Sequence, residues 1–279
     1  MKKIEFEAKK SGRLTKIISE NAAGYGYGAI AQAVRKKDAL VNGERVKSDI
    51  TVSVGDQIVV YLPDKAPFKP TVAYEDDDLV IYDKPTGIEV CDGDYNMVAE
   101  LKAAGVTVIP VHRLDRNTEG LIVFAKTEHA AAELRRGFSK GGAVKHYQAE
   151  VYGAPRSPSG EFTDYVVKNA QKSEVRVFDS PVPHGERAVT RYSLIRTSGK
   201  VSLLSVAISE GKTHQIRACL AHHGLPIIGD GKYGKNEINK LYKAKTQRLR
   251  CYAIDFNFDN DSALKQLRDK KIKIPLKEW

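Results

Sequence analysis

The sequence lacks the features that staple small secreted proteins together. Its three cysteines, Cys91, Cys219 and Cys251, are odd in number, far apart and in no CxxC arrangement. A disulfide scaffold is excluded, and the thiols suit small core positions in a reducing compartment. No run approaches the roughly 18 to 20 apolar residues of a membrane span. The lysine-bearing start MKKIEFEAKKSG is not followed by the apolar stretch of a secretory signal. Neither a basic amphipathic helix nor a lipidation motif stands out. A cytoplasmic protein without a membrane partner is therefore expected. Internal repeats and low-complexity segments are missing too. His214, His222, His223 and Cys219 match no zinc spacing, and two of the histidines are adjacent at an expected helix end, so no metal is expected.

What is present bounds the answer from the other side. With 279 residues the chain is long enough for about two domains and can bury a core without staples. The 45 Lys and Arg against 35 Asp and Glu leave a net charge of +10, which attracts polyanions. RNA, DNA and acidic membranes all satisfy that charge. Without a membrane-binding element, nucleic acid leads.

Residues 1–62 are expected to form one unit. It holds two short helical segments, RLTKIISEN and GAIAQAVRKK, the second ending in Arg35, Lys36 and Lys37. ALVNGERV follows, in which Asn42-Gly43 between apolar runs signals a tight hairpin. DITVSVGDQIVVYL then alternates polar and apolar residues at strand period as far as Leu62. This order resembles the ribosomal-protein-S-four-like RNA-binding domain, with Arg13, Arg35, Lys36 and Lys37 as its expected RNA contacts. The alternative is a small α+β domain whose lysines are merely solvated.

PDKAPFKP, residues 63–70, has three prolines in eight positions and reads as a linker. Residues 71–279 alternate between strand-like stretches and scattered helices, with one helix from about Glu128 to Phe138 behind Thr127 as N-cap. Another begins after Thr213, taken as its cap, and stops at Gly224. Strand and helix do not alternate regularly. The expected class is α+β: a mixed, mainly antiparallel sheet domain behind a small α+β domain.

Chemistry centres on HRLDRNTEGLIVFAKT, residues 112–127, where Asp115 lies between two arginines ahead of an apolar run. In isolation Asp115 is most simply a turn residue. The company it keeps, EGKTHQIRACLAHHGLPIIGDGKYG at 210–234, puts Arg217 near the start of a helix, where a fixed cation can reach a carboxylate on another segment. At about 4 Å and an effective dielectric near 20 such a pair attracts by about 4 kcal/mol before desolvation.

HRLDRNTEGLIVFAKT, KHYQA and EGKTHQIRACLAHHGLPIIGDGKYG, in that order after KPTGIEV at 84–90, resemble the successive motifs of RNA pseudouridine synthases of the RluA type. The resemblance covers most of residues 74–256 and implies isomerisation of uridines in RNA, with neither metal nor organic cofactor. It implies Asp115 as the essential carboxylate, a nucleophile or a base that starts elimination at the sugar. Tyr147 would stack on the uracil and take part in removing its ring proton, although a buried structural tyrosine is its alternative. Arg217 would pair with Asp115; a surface helix arginine is the alternative there. Arg113 would fill the stack left by a flipped base, with His112 beside it, and Thr118, His214 and Gln215 would complete the substrate site. Lys84, Pro85 and Gly87 suit a structural turn. The seven cations between Lys232 and Arg250 suit either a phosphate stripe or a solvated helix face. Partners follow: RNA, with ribosomal RNA preferred to transfer RNA because of the leading domain, and a chain acting as a monomer.

Departures from the family pattern are Glu119 where a serine is usual, Val90-Cys91-Asp92 where a histidine is common, and Leu249-Arg250-Cys251 for Leu-His-Ala. Glu119 brings a second negative charge near Asp115. Two other classes compete: an RNA-binding assembly factor without activity, and a glycoside or nucleoside hydrolase with Glu119 as second carboxylate.

Overall fold

In the computed structural model every residue is described except 23, 24, 26, 64–67, 94, 170–173 and 259–261, with only the backbone described at 27 and 28. The expected linker over 63–70 thus falls partly outside the described residues. The chain divides into two compact units, Met1–Lys69 with Glu89–Thr107, and Pro70–Ile88 with Val108–Trp279.

The first unit contains β1 (Lys2–Glu7), β2 (Gly12–Arg13), α1 (Leu14–Asn21), α2 (Tyr27–Arg35), β3 (Ala39–Val41), β4 (Glu44–Val46), β5 (Thr51–Val52) and β6 (Gln57–Leu62). A four-stranded antiparallel sheet runs β1-β6-β3-β4, and β2 pairs β5. Asn42 and Gly43 take φ of 53° and 83°, the left-handed pair that a two-residue hairpin needs. The strand-period alternation read over 49–62 is broken into two strands: Asp56 accepts from Ser53 N–H, and Gly55 takes φ 93°, which makes 53–56 a turn. On β6 the apolar side of the alternation, Ile58, Val60 and Leu62, meets Leu14, Ile17 and Ile18 of α1 and Ile30 and Val34 of α2 in one core. Burying each such side chain contributes about 1.5–3 kcal/mol. A further helix, α3 (Met97–Ala103), had no sequence signal strong enough to predict; Asn96 caps it by accepting from Ala99 N–H at 2.8 Å.

The second unit is built on β7 (Thr71–Glu75), β8 (Leu79–Lys84), β9 (Ile109–Pro110), β10 (Glu119–Ala125), β11 (Ala143–Tyr152), β12 (Ser159–Asn169), β13 (Glu174–Phe178), β14 (Glu186–Ser198), β15 (Val201–Ile208), β16 (Leu249–Phe256) and β17 (Lys270–Lys273). They form one sheet in the order β13-β12-β14-β15-β11-β16-β10-β8-β7, with β9 on β10 and β17 on β16. Pairing is antiparallel except between β10 and β16. Helices α4 (Glu128–Ser139), α5 (Gln215–His222) and α6 (Asn236–Leu241) accompany it. The mixed, mainly antiparallel α+β class is the one observed.

Strand β10 explains its own sequence. All seven residues of EGLIVFA are buried, and a strand covered on both faces reads as a continuous apolar run instead of an alternation. At its start Gly120 takes φ 106°, and a Cβ there would lie 2.1 Å from the Cys251 carbonyl oxygen. Only glycine lets β10 and β16 approach so closely at the point where the Asp115 segment enters the sheet. Thr127 caps α4 as expected, accepting from Ala130 N–H at 3.1 Å. The cap of α5 differs from expectation: His214 in left-handed conformation (φ 52°), and not Thr213, precedes the helix. Gly224, at φ 76°, lies just past its end.

Candidate active site

The Asp115 segment is a turn pinned from below. Thr118 N–H donates to Asp115 C=O, and the fully buried Lys84 ammonium donates to the carbonyls of Pro85, Ile88 and Arg116 at 2.8–3.0 Å. Gly87 N–H donates to Arg116 C=O, and Arg116 Nε returns a bond to Gly87 C=O at 3.2 Å. The KPTG stretch is therefore structural, and it locks the turn that presents Asp115. Satisfying three carbonyls with one buried cation is what makes burial of Lys84 tolerable.

Arg217, the third residue of α5, donates from Nη1 to Asp115 Oδ2 at 2.8 Å. Its other donors grip a second acid: Nε and Nη2 bond the two oxygens of Asp230 at 2.7 and 2.9 Å. Asp230 also accepts from the backbone N–H groups of Lys232 and Tyr233. Burial alone would raise the Asp230 carboxyl, but the Arg217 bonds and charge hold it below its ordinary range. Burial likewise opposes the charge on Arg217, and the two carboxylates more than restore it, so the guanidinium stays protonated. Two acids around one base leave a net negative charge, and its open end is Asp115 Oδ1, which makes no hydrogen bond among the described residues. The bidentate grip orients the guanidinium rigidly before any ligand arrives.

Asp115 opens into a cleft of about 310 Å³ in the second unit. Among the described residues lining it, Asp115 is the one acidic side chain, against Arg113, Lys145, Lys168, Lys212, Arg217 and Lys232. Tyr147 forms part of the wall. A β-bulge between His146 and Tyr147, where β11 slips its register with β16, re-aims the side chains that follow. Burial first, then the fields of Cys251 and Asp115, hold the Tyr147 phenol well above its ordinary range, so it is a neutral donor. Lys145, two residues earlier, is buried in the same wall with its ammonium 5.5 Å from the Phe138 ring centroid, and burial lowers its pKa.

Of the other sequence candidates, Arg113, Thr118, His214 and Gln215 line the cleft. The Thr118 hydroxyl accepts from Gln247 Nε2 at 2.6 Å. His214 Nδ1 lies 2.8 Å from the Tyr233 hydroxyl; burial lowers its pKa, against the nearby Asp115 charge. Gln215 is buried and tied to Val189 C=O and Glu210, which makes it a strut for the start of α5. His112 does not line the cleft. Its Nε2 accepts from Val123 N–H at 2.9 Å, its ring packs on Phe138, and burial pulls its pKa down to about 3. Glu119 is also outside the lining; its carboxylate takes two bonds from Lys277 Nζ at 2.8–2.9 Å and lies 3.7 Å from Arg250. The extra charge is neutralised, so Glu119 is no second catalytic acid.

In the first unit Arg13 pairs with Asp49, while Arg35, Lys36 and Lys37 are exposed at the end of α2. In the 232–250 stretch Arg248 is bound to Glu150 and Arg250 to Asp83, so at least two of the seven cations serve internal pairs. Sequence reasoning missed Asp230 and Lys145 as site residues. Both stand inside motifs it had singled out, GDGKYG and KHYQA, but their roles depend on neighbours brought in from other segments of the chain, Arg217 for the first and the Gly211 loop for the second.

A single carboxylate clamped by a guanidinium within a ring of cations suits an enzyme that acts on a polyanion. The comparisons with known proteins agree: the profile described as RNA pseudouridylate synthase matches residues 78–222, and the chain belongs to that family. An RNA pseudouridine synthase of Chlorobaculum parvum is 31% identical over 80% of this chain and 75% of its own length. A ribosomal large subunit pseudouridine synthase C of Rickettsia felis is 29% identical over 84% of this chain and 86% of its own. The human RNA pseudouridylate synthase domain containing 1 shares the fold, with a TM-score of 0.64 over 76% of this chain and 85% of that one at 17% identity. The protein is an isomerase that converts uridine to pseudouridine in RNA.

Proposed function

We propose that the uridines modified lie in ribosomal RNA and that Asp115 is the residue on which the reaction turns. The observation that carries the assignment is the 2.8 Å bond from Arg217 to Asp115 Oδ2 in the wall of the cleft, which leaves Oδ1 without a hydrogen bond among the described residues. In the reaction the bond from N1 of uracil to C1′ of ribose breaks, the base turns, and C5 bonds C1′. The C5 proton leaves and N1 takes one up. Oδ1 either attacks C1′ or removes a sugar proton to start an elimination. In both cases the anionic oxygen opposes a sugar carbon that becomes electron-poor.

Arg217 orients this oxygen and keeps it ionised while substrate excludes water, and Asp230 keeps Arg217 in place. Tyr147, as a neutral phenol, is suited to stacking on the uracil and donating to it, more than to taking the C5 proton in the resting site. Arg113 at the mouth fills the stack vacated by the extruded base, which offsets part of an unstacking cost of a few kcal/mol. Thr118 and His214 contact the substrate; His112 and Gln215 act as positioning residues. The first unit, with Arg13, Arg35, Lys36 and Lys37, binds RNA in the manner of the S-four-like domain, and the chain works as a monomer in the cytoplasm.

Relatives named as ribosomal large subunit pseudouridine synthases support the choice of RNA. Carbodiimide mapping of pseudouridine in RNA from cells with and without the gene tests it. The expected result is loss of one or more large-subunit sites. Loss confined to transfer RNA would refute the ribosomal assignment.

A further inference from the structure

On the far end of the helix that carries Arg217, two histidines and two carboxylates converge from three elements. His222 is the last residue of α5 and His223 its C-cap; Asp164 stands on β12, and Asp179 follows β13 by one residue. One ligand atom from each lies within 4.8 Å of all the others. His222 Nε2 is 2.8 Å from Asp179 Oδ1, and His223 Nε2 is 2.9 Å from Asp164 Oδ1. Two ordinary His–Asp pairs would give those distances. They would not account for Asp164 Oδ2.

The Asp164 side chain is 1% exposed, and its Oδ2 meets no N–H or O–H donor among the described residues. A buried carboxylate oxygen without a donor is costly and rare. The Cys219 thiol does hydrogen-bond Asp164, but burial and then the Asp164 charge push it well above its ordinary range, so it is a neutral, weak donor to a full carboxylate charge. The geometry around the orphan is otherwise stiff: the His223 ring stacks on Phe162 with centroids 3.8 Å apart and planes within 8°. His222 stands perpendicular to it, at 85°. The remaining pair, His222 and Asp179, is exposed enough to close in.

We propose that Asp164, Asp179, His222 and His223 form a binding site for one divalent cation of the zinc type. Two neutral imidazoles and two carboxylates balance a charge of +2 and supply the four N and O donors that a tetrahedral Zn²⁺ site uses. The cation would answer the charge of the buried Asp164 carboxylate, which otherwise meets only His223 and a weak thiol donor. It would also tie the end of α5 to β12 and β13, on the helix whose first turn bears Arg217. The site had no signature in the sequence, because adjacent residues within a helix do not face a common point. Here the helix stops between them.

The test uses the full chain after chelator treatment. Titration with Zn²⁺ should reveal one saturable site, and Co²⁺ should develop the strong visible absorption of four-coordinate cobalt. His222→Gln and Asp179→Asn alter exposed side chains and should each weaken Zn²⁺ binding by at least the ~10–100-fold that loss of even an outer-shell partner costs. In the unaltered chain Zn²⁺ should shield His222 and His223 from diethyl pyrocarbonate while the exposed His129 and His184 keep reacting. No saturable binding, parent-like affinity in both variants, or equal reactivity of all four histidines would overturn the proposal.

Discussion

Replacing Asp115 by Asn separates the chemistry of the site from its contribution to the fold. The Asp115–Arg217 pair is 2.8 Å long with side chains 24% and 10% exposed, a gross attraction of about 6 kcal/mol at an effective dielectric near 20. Most of that is cancelled by desolvation. The variant also keeps a carbonyl oxygen to accept from Arg217, whose charge remains matched by Asp230 through two further bonds. A stability loss of about 1–2 kcal/mol is left, or a fall in Tm of ~2–8 °C for a chain of this size. Activity should suffer on another scale. An amide neither attacks C1′ nor takes a proton, and loss of such a group lowers turnover by at least ~10⁴-fold, about 5 kcal/mol in the barrier. Release of tritium from RNA labelled at C5 of uridine measures turnover, and calorimetry gives Tm. A variant that melts more than ~10 °C lower while keeping a tenth of its activity would make Asp115 a structural acid and not a catalytic one.

Gly120→Ala should abolish soluble folded protein or lower Tm drastically, because its Cβ would stand 2.1 Å from the Cys251 carbonyl at φ 106°; a variant with unchanged Tm would contradict the close approach of β10 and β16. His112 stays neutral down to about pH 3 when folded, whereas an unfolded histidine takes its proton near pH 6.5. The unfolded state thus binds the extra proton, and stability falls as pH drops through that window by up to ~1.4 kcal/mol per unit, less for the part of the ring still open to solvent. His112→Gln keeps an acceptor for Val123 N–H and should flatten this acid limb in denaturant titrations from pH 7 to 4; an unchanged limb would clear His112 of the effect. Changing Arg35, Lys36 and Lys37 together to Glu should weaken RNA binding and reduce the slope of log affinity against log salt by about one for each phosphate no longer neutralised. An identical slope would take these cations out of the RNA interface.

Local rules made several parts of this molecule readable in advance. The Asn42-Gly43 hairpin, the Thr127 cap and the apolar run of β10 follow from φ restrictions, orphan N–H groups and burial on both faces, all properties of short segments. Ordered motifs likewise pointed to Asp115, Tyr147 and Arg217 together. Where the reading failed, a nonlocal partner had decided the outcome. His214 displaced Thr213 as the residue before α5 by adopting a left-handed backbone beside Tyr233. His112, adjacent to a cleft residue, turned instead to the N–H of Val123.

The chain's order of residues by itself carried the reaction class and the positively charged character, and it singled out Asp115 as the acid proposed here, since each depends on which groups are present and in what succession. Only the folded arrangement decided which charges matter. It answered the Glu119 carboxylate with Lys277, 158 positions away, and set Asp230 behind Arg217. It also brought His222 and His223 against Asp164 and Asp179. Coulomb and hydrogen-bond energies depend on separations of a few ångströms, and separation in space is the quantity that position along a chain does not specify.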